Sequence, residues 1–175
     1  MRIRRSCFAD TNLPADSLSY LITGCREDAL TLILDAVSTS KAKRLPLSLH
    51  GVDMLFCNTD EGRAMLGDDM ASDTEGMARA LCQRGAASTV VTDARGICFV
   101  RQGEPLSLRA SRGTVVDTSG AGDALVAGTS YGRLMNYDCA TSLRIGLNAA
   151  AMTIGCEDCN HPELSVDAVT RGLSL

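Results

Sequence analysis

Val115-Val116-Asp117-Thr118-Ser119-Gly120-Ala121-Gly122-Asp123-Ala124-Leu125-Val126-Ala127-Gly128 reads as a β-type run entering two glycines separated by one small residue, after which a helix begins with an aspartate in its first turn. A turn of this kind leaves consecutive backbone N–H groups unpaired and aimed outward, and the helix dipole adds partial positive charge at the same point. The pattern predicts a cradle for a phosphoryl group. Side chains larger than Ala would keep an anion off the backbone, which suits Gly120, Ala121 and Gly122. A carboxylate at Asp123 can accept the proton of an attacking hydroxyl while the N–H groups stabilise charge on the transferred oxygens. Spacing alone leaves a plainer reading equally open, in which a Gly-rich loop starts a helix and Asp123 merely favours the dipole. The loop lacks the Gly-Lys-Ser/Thr of a Walker A sequence. The next glycine after Gly122 is Gly128, which breaks the dinucleotide-binding Gly-x-Gly-x-x-Gly spacing.

Outward from this stretch, short β-rich runs alternate with helical spacing, the signature of an open α/β sheet. Residues 29–35, 52–57 and 88–92 are apolar runs suited to parallel strands covered on both faces, and residues near 3–9 read as another. Two extended runs around Gln102-Gly103-Glu104-Pro105 predict a hairpin at an antiparallel edge. Helical spacing occupies 14–22 and 72–84, the latter opening with a Ser72/Glu75 capping box. Further helices are expected over 121–135, 139–154 and 166–171. With no repeat, low-complexity tract or long linker, residues 1–175 are expected to form one domain.

Composition bounds the function. Seventeen Lys+Arg against 21 Asp+Glu give a net charge of −4 with no basic face, so nucleic acid and anionic membranes are not expected partners. No apolar run approaches the roughly 18 residues of a membrane span, and residues 1–5 lead into no signal-type stretch, so a cytoplasmic protein is expected. The eight cysteines are scattered, several inside apolar runs, and read as buried thiols. Cys156-Glu157-Asp158-Cys159 with His161 has half of a zinc spacing and lacks a second pair, which favours a surface loop.

Asp117 to Asp123 resembles the C-terminal signature of the ribokinase-like (PfkB) carbohydrate kinase family. Asn58-Thr59-Asp60-Glu61 resembles its Asn-x-x-Glu, and Val90-Val91-Thr92 the strand leading to its nucleotide loop. Ala9 to Leu13, Asp35 to Ser38 with Lys41, and the stretch from Cys156-Glu157 through Asn160 to Ser165 are similar to segments of the pseudouridine kinases within it. The resemblance implies an open, mostly parallel, doubly wound sheet. It implies that Asp123 is the general base, that Gly120, Ala121 and Gly122 form the anion hole, and that Asn58, Thr92 and Asn148 contact the nucleotide. Glu61 would orient Mg²⁺ through water, and Asp117 and Ser119 would lie by a monovalent cation such as K⁺. ATP with Mg²⁺ is the implied cofactor, and a sugar or nucleoside the partner. Thr92-Asp93-Ala94-Arg95-Gly96 departs from the family's Thr-x-Gly-x-x-Gly. The family's upstream Gly-Gly signature, acceptor-gripping aspartate and β lid have no counterpart, so the resemblance covers its C-terminal half. An uncovered sheet edge then implies self-association or a partner chain. Plain chemistry reads Asn58 and Glu61 as a strand-end cap and a first-turn acid, and Asn148 as a polar residue on a helix face.

Overall fold

The computed structural model describes residues 5–67, 73–110, 115–156 and 161–173. They fall into two compact units that divide after Leu108.

The first unit runs β1 (Ser6–Asp10), α1 (Ala15–Glu27), β2 (Thr31–Asp35), α2 (Thr39–Ala42), β3 (Met54–Asn58), α3 (Thr59–Leu66), α4 (Thr74–Gln83), β4 (Ser88–Asp93), β5 (Gly96–Arg101) and β6 (Glu104–Arg109). Its single six-stranded open sheet has the order β1-β2-β3-β4-β5-β6. The first four strands pair in parallel, and β5 runs antiparallel to β4. The expected antiparallel edge hairpin is present.

Consecutive parallel strands joined by right-handed crossovers place their connecting helices on one face. The core agrees: Leu18 and Ile22 of α1 and Met77, Ala78 and Leu81 of α4 pack in one cluster with Leu32, Leu34, Leu55, Cys57, Val91 and Val100. The alternate residues Ile33, Met54, Phe56, Val90 and Phe99 point to the opposite face and are also buried. Burial on both faces explains why these strands read as continuous apolar runs. Fully burying side chains of this size contributes about 1.5–3 kcal/mol each.

Several boundaries differ from the sequence expectation for local reasons. Strand β2 begins at Thr31 and not at Ala29, because Ala29 has φ 52° and Leu30 N–H donates to the Cys25 carbonyl, closing α1. Helix α1 continues past Ile22 to Glu27, since Cys25 extends its buried stripe by one turn while Gly24, Arg26 and Glu27 obscure the period. The Ser72 cap lies outside the described residues; the cap of α4 is Asp73, whose Oδ1 accepts from Gly76 N at 2.7 Å. The short helix α2 was not anticipated. Val115 and Val116 are exposed and form no strand: the N–H groups of Val116 and Asp117 both donate to the Ile154 carbonyl.

The second unit consists of α5 (Ala121–Leu134), α6 (Cys139–Thr153) and α7 (Val166–Thr170), the helical pattern expected for the C-terminal third. Small residues let α5 and α6 approach to backbone contact. A Cβ on Gly128 would lie 2.8 Å from Gly146 Cα, and one on Gly132 would lie 2.7 Å from Ser142 Cα. Asp138 caps α6, its Oδ1 accepting from Thr141 N at 3.0 Å.

Among the described residues the cysteines are thiols, with Cys25, Cys57 and Cys98 buried as expected and Cys7, Cys82, Cys139 and Cys156 only half-buried. Burial, reinforced by the neighbouring Cys7, pushes the Cys25 thiol up to about 11, and burial raises Cys57 further. The Cys156 thiol bonds to the Thr153 carbonyl and His161 Nδ1 accepts from Glu163 N, while residues 157–160 lie outside the described part.

Gly146→Ala is expected to destabilise the protein by about 1–3 kcal/mol, because its Cβ would sit 2.5 Å from the Leu125 carbonyl oxygen and run into Thr129 Oγ1. That clash outweighs a helix-propensity gain of about 1 kcal/mol. Gly24→Ala in α1, with nothing within 4 Å of its Cβ, is expected to gain about 0.5–1 kcal/mol. Urea denaturation of the two variants checks both signs.

Candidate active site

The start of α5 combines three features. Gly120 is the N-cap residue with φ 76°, a left-handed conformation that a residue with a Cβ adopts only with strain, and it supplies no side-chain cap. Ala121 N–H donates to the Thr118 carbonyl at 3.3 Å, and no side chain caps the first turn. A Cβ on Gly122 would meet nothing within 4 Å, so the space above this backbone is open. Asp123 stands exposed in the first turn. Just upstream, Asp117 Oδ1 accepts from Ser119 N and Ser119 Oγ, both at 2.9 Å. Those two hydrogen bonds hold the Asp117 carboxyl below the ordinary carboxylate range. The structure brings Asp117, Ser119, the glycine turn and Asp123 together within one loop and one helical turn.

In the sheet unit, Asn58 ends β3 and caps α3 by a reciprocal box. Asn58 Oδ1 accepts from Glu61 N at 2.9 Å, Asn58 N donates to Glu61 Oε2 at 2.8 Å, and Asn58 Nδ2 donates to Glu61 Oε1 at 2.9 Å. Glu61 is buried, 6% exposed. Burial raises its carboxyl above the ordinary value and the Asp60 charge adds to this, while the Asn58 hydrogen bonds oppose it. The structure thus supports the capping role read from plain chemistry. One carboxylate with both oxygens already engaged suits a hydrated ion reached through water better than a direct ligand. Among the described residues no three His, Cys, Asp or Glu side chains gather as a metal centre.

Thr92 pairs with Asn58 across β3 and β4, so the two lie level in the sheet. The chain then turns tightly. Asp93 accepts from Arg95 N at 2.7 Å and Gly96 N at 3.1 Å, and ion-pairs with the Arg95 guanidinium at 3.1 Å. Burial would raise the Asp93 carboxyl, but these bonds outweigh it and hold it low. The departure from Thr-x-Gly-x-x-Gly is thus a self-contained hairpin turn. In the helical unit, Asn148 Nδ2 donates to the Val169 carbonyl at 2.8 Å, tying α6 to α7.

Position-by-position reading did not find the pairing of Asn12 with Lys41. Lys41 Nζ donates to Asn12 Oδ1 at 2.6 Å across 29 residues of sequence, a separation no local period can reveal.

The sequence profile of pfkB family carbohydrate kinases matches residues 2–165. The chain belongs to the PfkB family of carbohydrate kinases. It is 31% identical over 163 residues to the uncharacterized sugar kinase YeiI of Escherichia coli, covering 91% of this chain and 44% of that protein. It is 23% identical over 169 residues to the pseudouridine kinase of E. coli, covering 90% of this chain and 51% of the relative. Ribokinase from Thermotoga maritima superimposes with a TM-score of 0.80 at 18% identity, over 94% of this chain and 55% of that one, and so shares the fold. The chain spans about half the length of the curated relatives it matches.

No helix among the described residues is long and apolar enough to cross a membrane.

A carboxyl raised in the folded state binds its proton more tightly there than in the unfolded chain. Stability from this group is therefore greatest below the ordinary value of 4.5 and declines as pH rises through the folded value. Glu61→Gln loses one of the two bonds from Asn58, costing about 1 kcal/mol, and has no charge to bury. The excess thermal stability of wild type over Glu61→Gln is expected to narrow as pH rises from 4.5 and then level off, as melting curves between pH 4 and 7 will test.

Proposed function

We propose that this chain carries the phosphate cradle and the catalytic base of a cytoplasmic ATP-dependent kinase, which transfers the γ-phosphate to a hydroxyl of a sugar or nucleoside. The favoured acceptor is the 5′-hydroxyl of pseudouridine. The single observation carrying the proposal is the α5 start, where a left-handed Gly120, open space over Gly122 and an exposed Asp123 occur together. In this reading residues 1–175 act as one partial kinase domain.

Asp123 takes the proton from the acceptor hydroxyl as its oxygen attacks the γ-phosphorus. The N–H groups of Gly120, Ala121 and Gly122, that of Ala121 shared with the Thr118 carbonyl, stabilise charge on the transferred oxygens. Asn58 contacts the triphosphate and Glu61 steadies hydrated Mg²⁺, which supplies charge neutralisation on the phosphates. Asp117, kept ionised by Ser119, suits a monovalent cation such as K⁺ beside the loop. Thr92 lies on the nucleotide side. With the Asn148 amide N–H taken by Val169, its Oδ1 is the atom offered to the adenine amine. Similarity to pseudouridine kinase and the Asp10, Asp35 and Lys41 segments support the choice of acceptor. Ribose or another sugar is the competing acceptor. Strand β1 ends the sheet with Phe8 46% exposed, which favours self-association or a partner chain along that edge.

Coverage of only about half of each relative favours a second reading, a nucleotide-binding module without turnover. Calorimetry separates the two: the kinase binds both ATP and pseudouridine, whereas the module binds ATP alone. Asp123→Asn is expected to slow phosphoryl transfer by roughly 10²–10⁴ while ATP affinity stays within a few-fold. Near wild-type transfer would remove Asp123 from the role of base. Gly122→Val is expected to weaken ATP binding and rate together, because its branched side chain would enter the open space above the turn. Unchanged ATP affinity in a folded Gly122→Val protein would overturn the cradle.

A further inference from the structure

The carboxyl ends of β1 and β2 carry a charged cluster whose segments supported the choice of acceptor above but whose side chains were given no role in phosphate binding. Asp10 and Asp35 are register partners there, and in an open α/β sheet this is the side on which ligands bind. Asp10 closes a tight turn: its Oδ1 accepts from Asn12 N and its Oδ2 from Asn12 Nδ2, both at 2.8 Å. The latter bond fixes the orientation of the Asn12 amide, and Lys41 Nζ donates to its Oδ1 at 2.6 Å. From the same side, Arg44 Nη1 donates to the carbonyls of Thr11 and Asn12, both at 3.0 Å.

Two cations are thus seated on one turn through neutral oxygens. Neither is found in an ion pair with another described residue, unlike Arg63 with Asp60, Arg79 with Glu75 and Arg95 with Asp93. An ammonium has three donors, and Asn12 takes one. Asp10 bonds Asn12 through both of its oxygens and makes no ion pair with Lys41. The Ser38 and Ser40 hydroxyls, 3.4 Å apart, add neutral donors at the start of α2. Helix α2 packs against α3, whose cap is Asn58. A lysine held in place but not neutralised fits an anion with several acceptor oxygens.

We infer that Lys41, positioned by Asp10 through Asn12 and flanked by Arg44, forms a binding site for the phosphate groups of a nucleoside triphosphate. This rests on the proposed kinase reading only in taking the phosphate to be that of a nucleotide. Lys41 is the binding residue, and Asn12 is a positioning residue.

Calorimetric titration of residues 1–175 with inorganic tripolyphosphate and, separately, with ATP tests the site. Lys41→Gln is expected to weaken both ligands roughly tenfold or more, as loss of a charged hydrogen bond does. Lys41→Arg should retain affinity within about threefold, and Asn12→Ala should lose most of what Lys41→Gln loses. Lys43→Gln, an exposed neighbour, is the control for general charge and should change neither. Thermal melts of each variant establish that it is folded. Tripolyphosphate binding that is absent from wild type, or equal in wild type and Lys41→Gln, overturns the inference. If ATP affinity still responds to Gly122→Val in that case, the kinase reading stands without this site. Tripolyphosphate binding that depends on Lys41, in a protein that phosphorylates neither pseudouridine nor ribose, keeps the site and sinks the kinase reading.

Discussion

Parallel pairing of β1 to β4 is the constraint from which the sheet unit follows. Because the strands run the same way, β1, β2 and β3 must each be followed by a crossover, and the right-handed twist of the chain sends these to one face. All four carboxyl ends then fall on one edge. Asp10 and Asp35 become register partners, as do Asn58 and Thr92, with Asp35 opposite Phe56, two residues before Asn58. The same pairing turns both faces of the central strands inward, which requires apolar side chains at consecutive positions and confines polar chemistry to strand ends.

At those ends, side-chain oxygens close the turns. Asn58 and Glu61 satisfy each other's backbone donors at α3, and Asp10 holds Asn12. Burying the Glu61 carboxylate is unfavourable in itself and is only partly offset by the Asn58 bonds. A cap of this kind fixes where the helix begins and ties its first turn to the end of the strand before it.

The helical unit solves a different problem. Its α5 start has no side-chain cap, and Gly120 adopts a conformation that favours glycine. Such a start is stable only if the rest of the helix is anchored elsewhere, and the anchor is the close contact of α5 with α6. Gly128, Gly132, Ser142 and Gly146 bring backbone against backbone, and any added methyl group there would collide. Rigid packing in the body of the helix and an open, glycine-built end are complementary parts of one device.

Sequence by itself determined the strands, the hairpin, the helical C-terminal third and the glycine turn before Asp123, because these depend on apolar periodicity and on residues within a few positions of one another. It also carried the Asn58–Glu61 cap, whose partners are three residues apart. Only the tertiary structure decided that Val115-Val116 faces outward and borrows the Ile154 carbonyl, that Asn148 is bound to Val169, and that Asn12 holds Lys41. Each of these joins groups 21 to 38 residues apart through a hydrogen bond to a single atom. Local patterns of hydrophobicity carry no record of such contacts, which arise only when packed elements bring distant atoms to within about 3 Å.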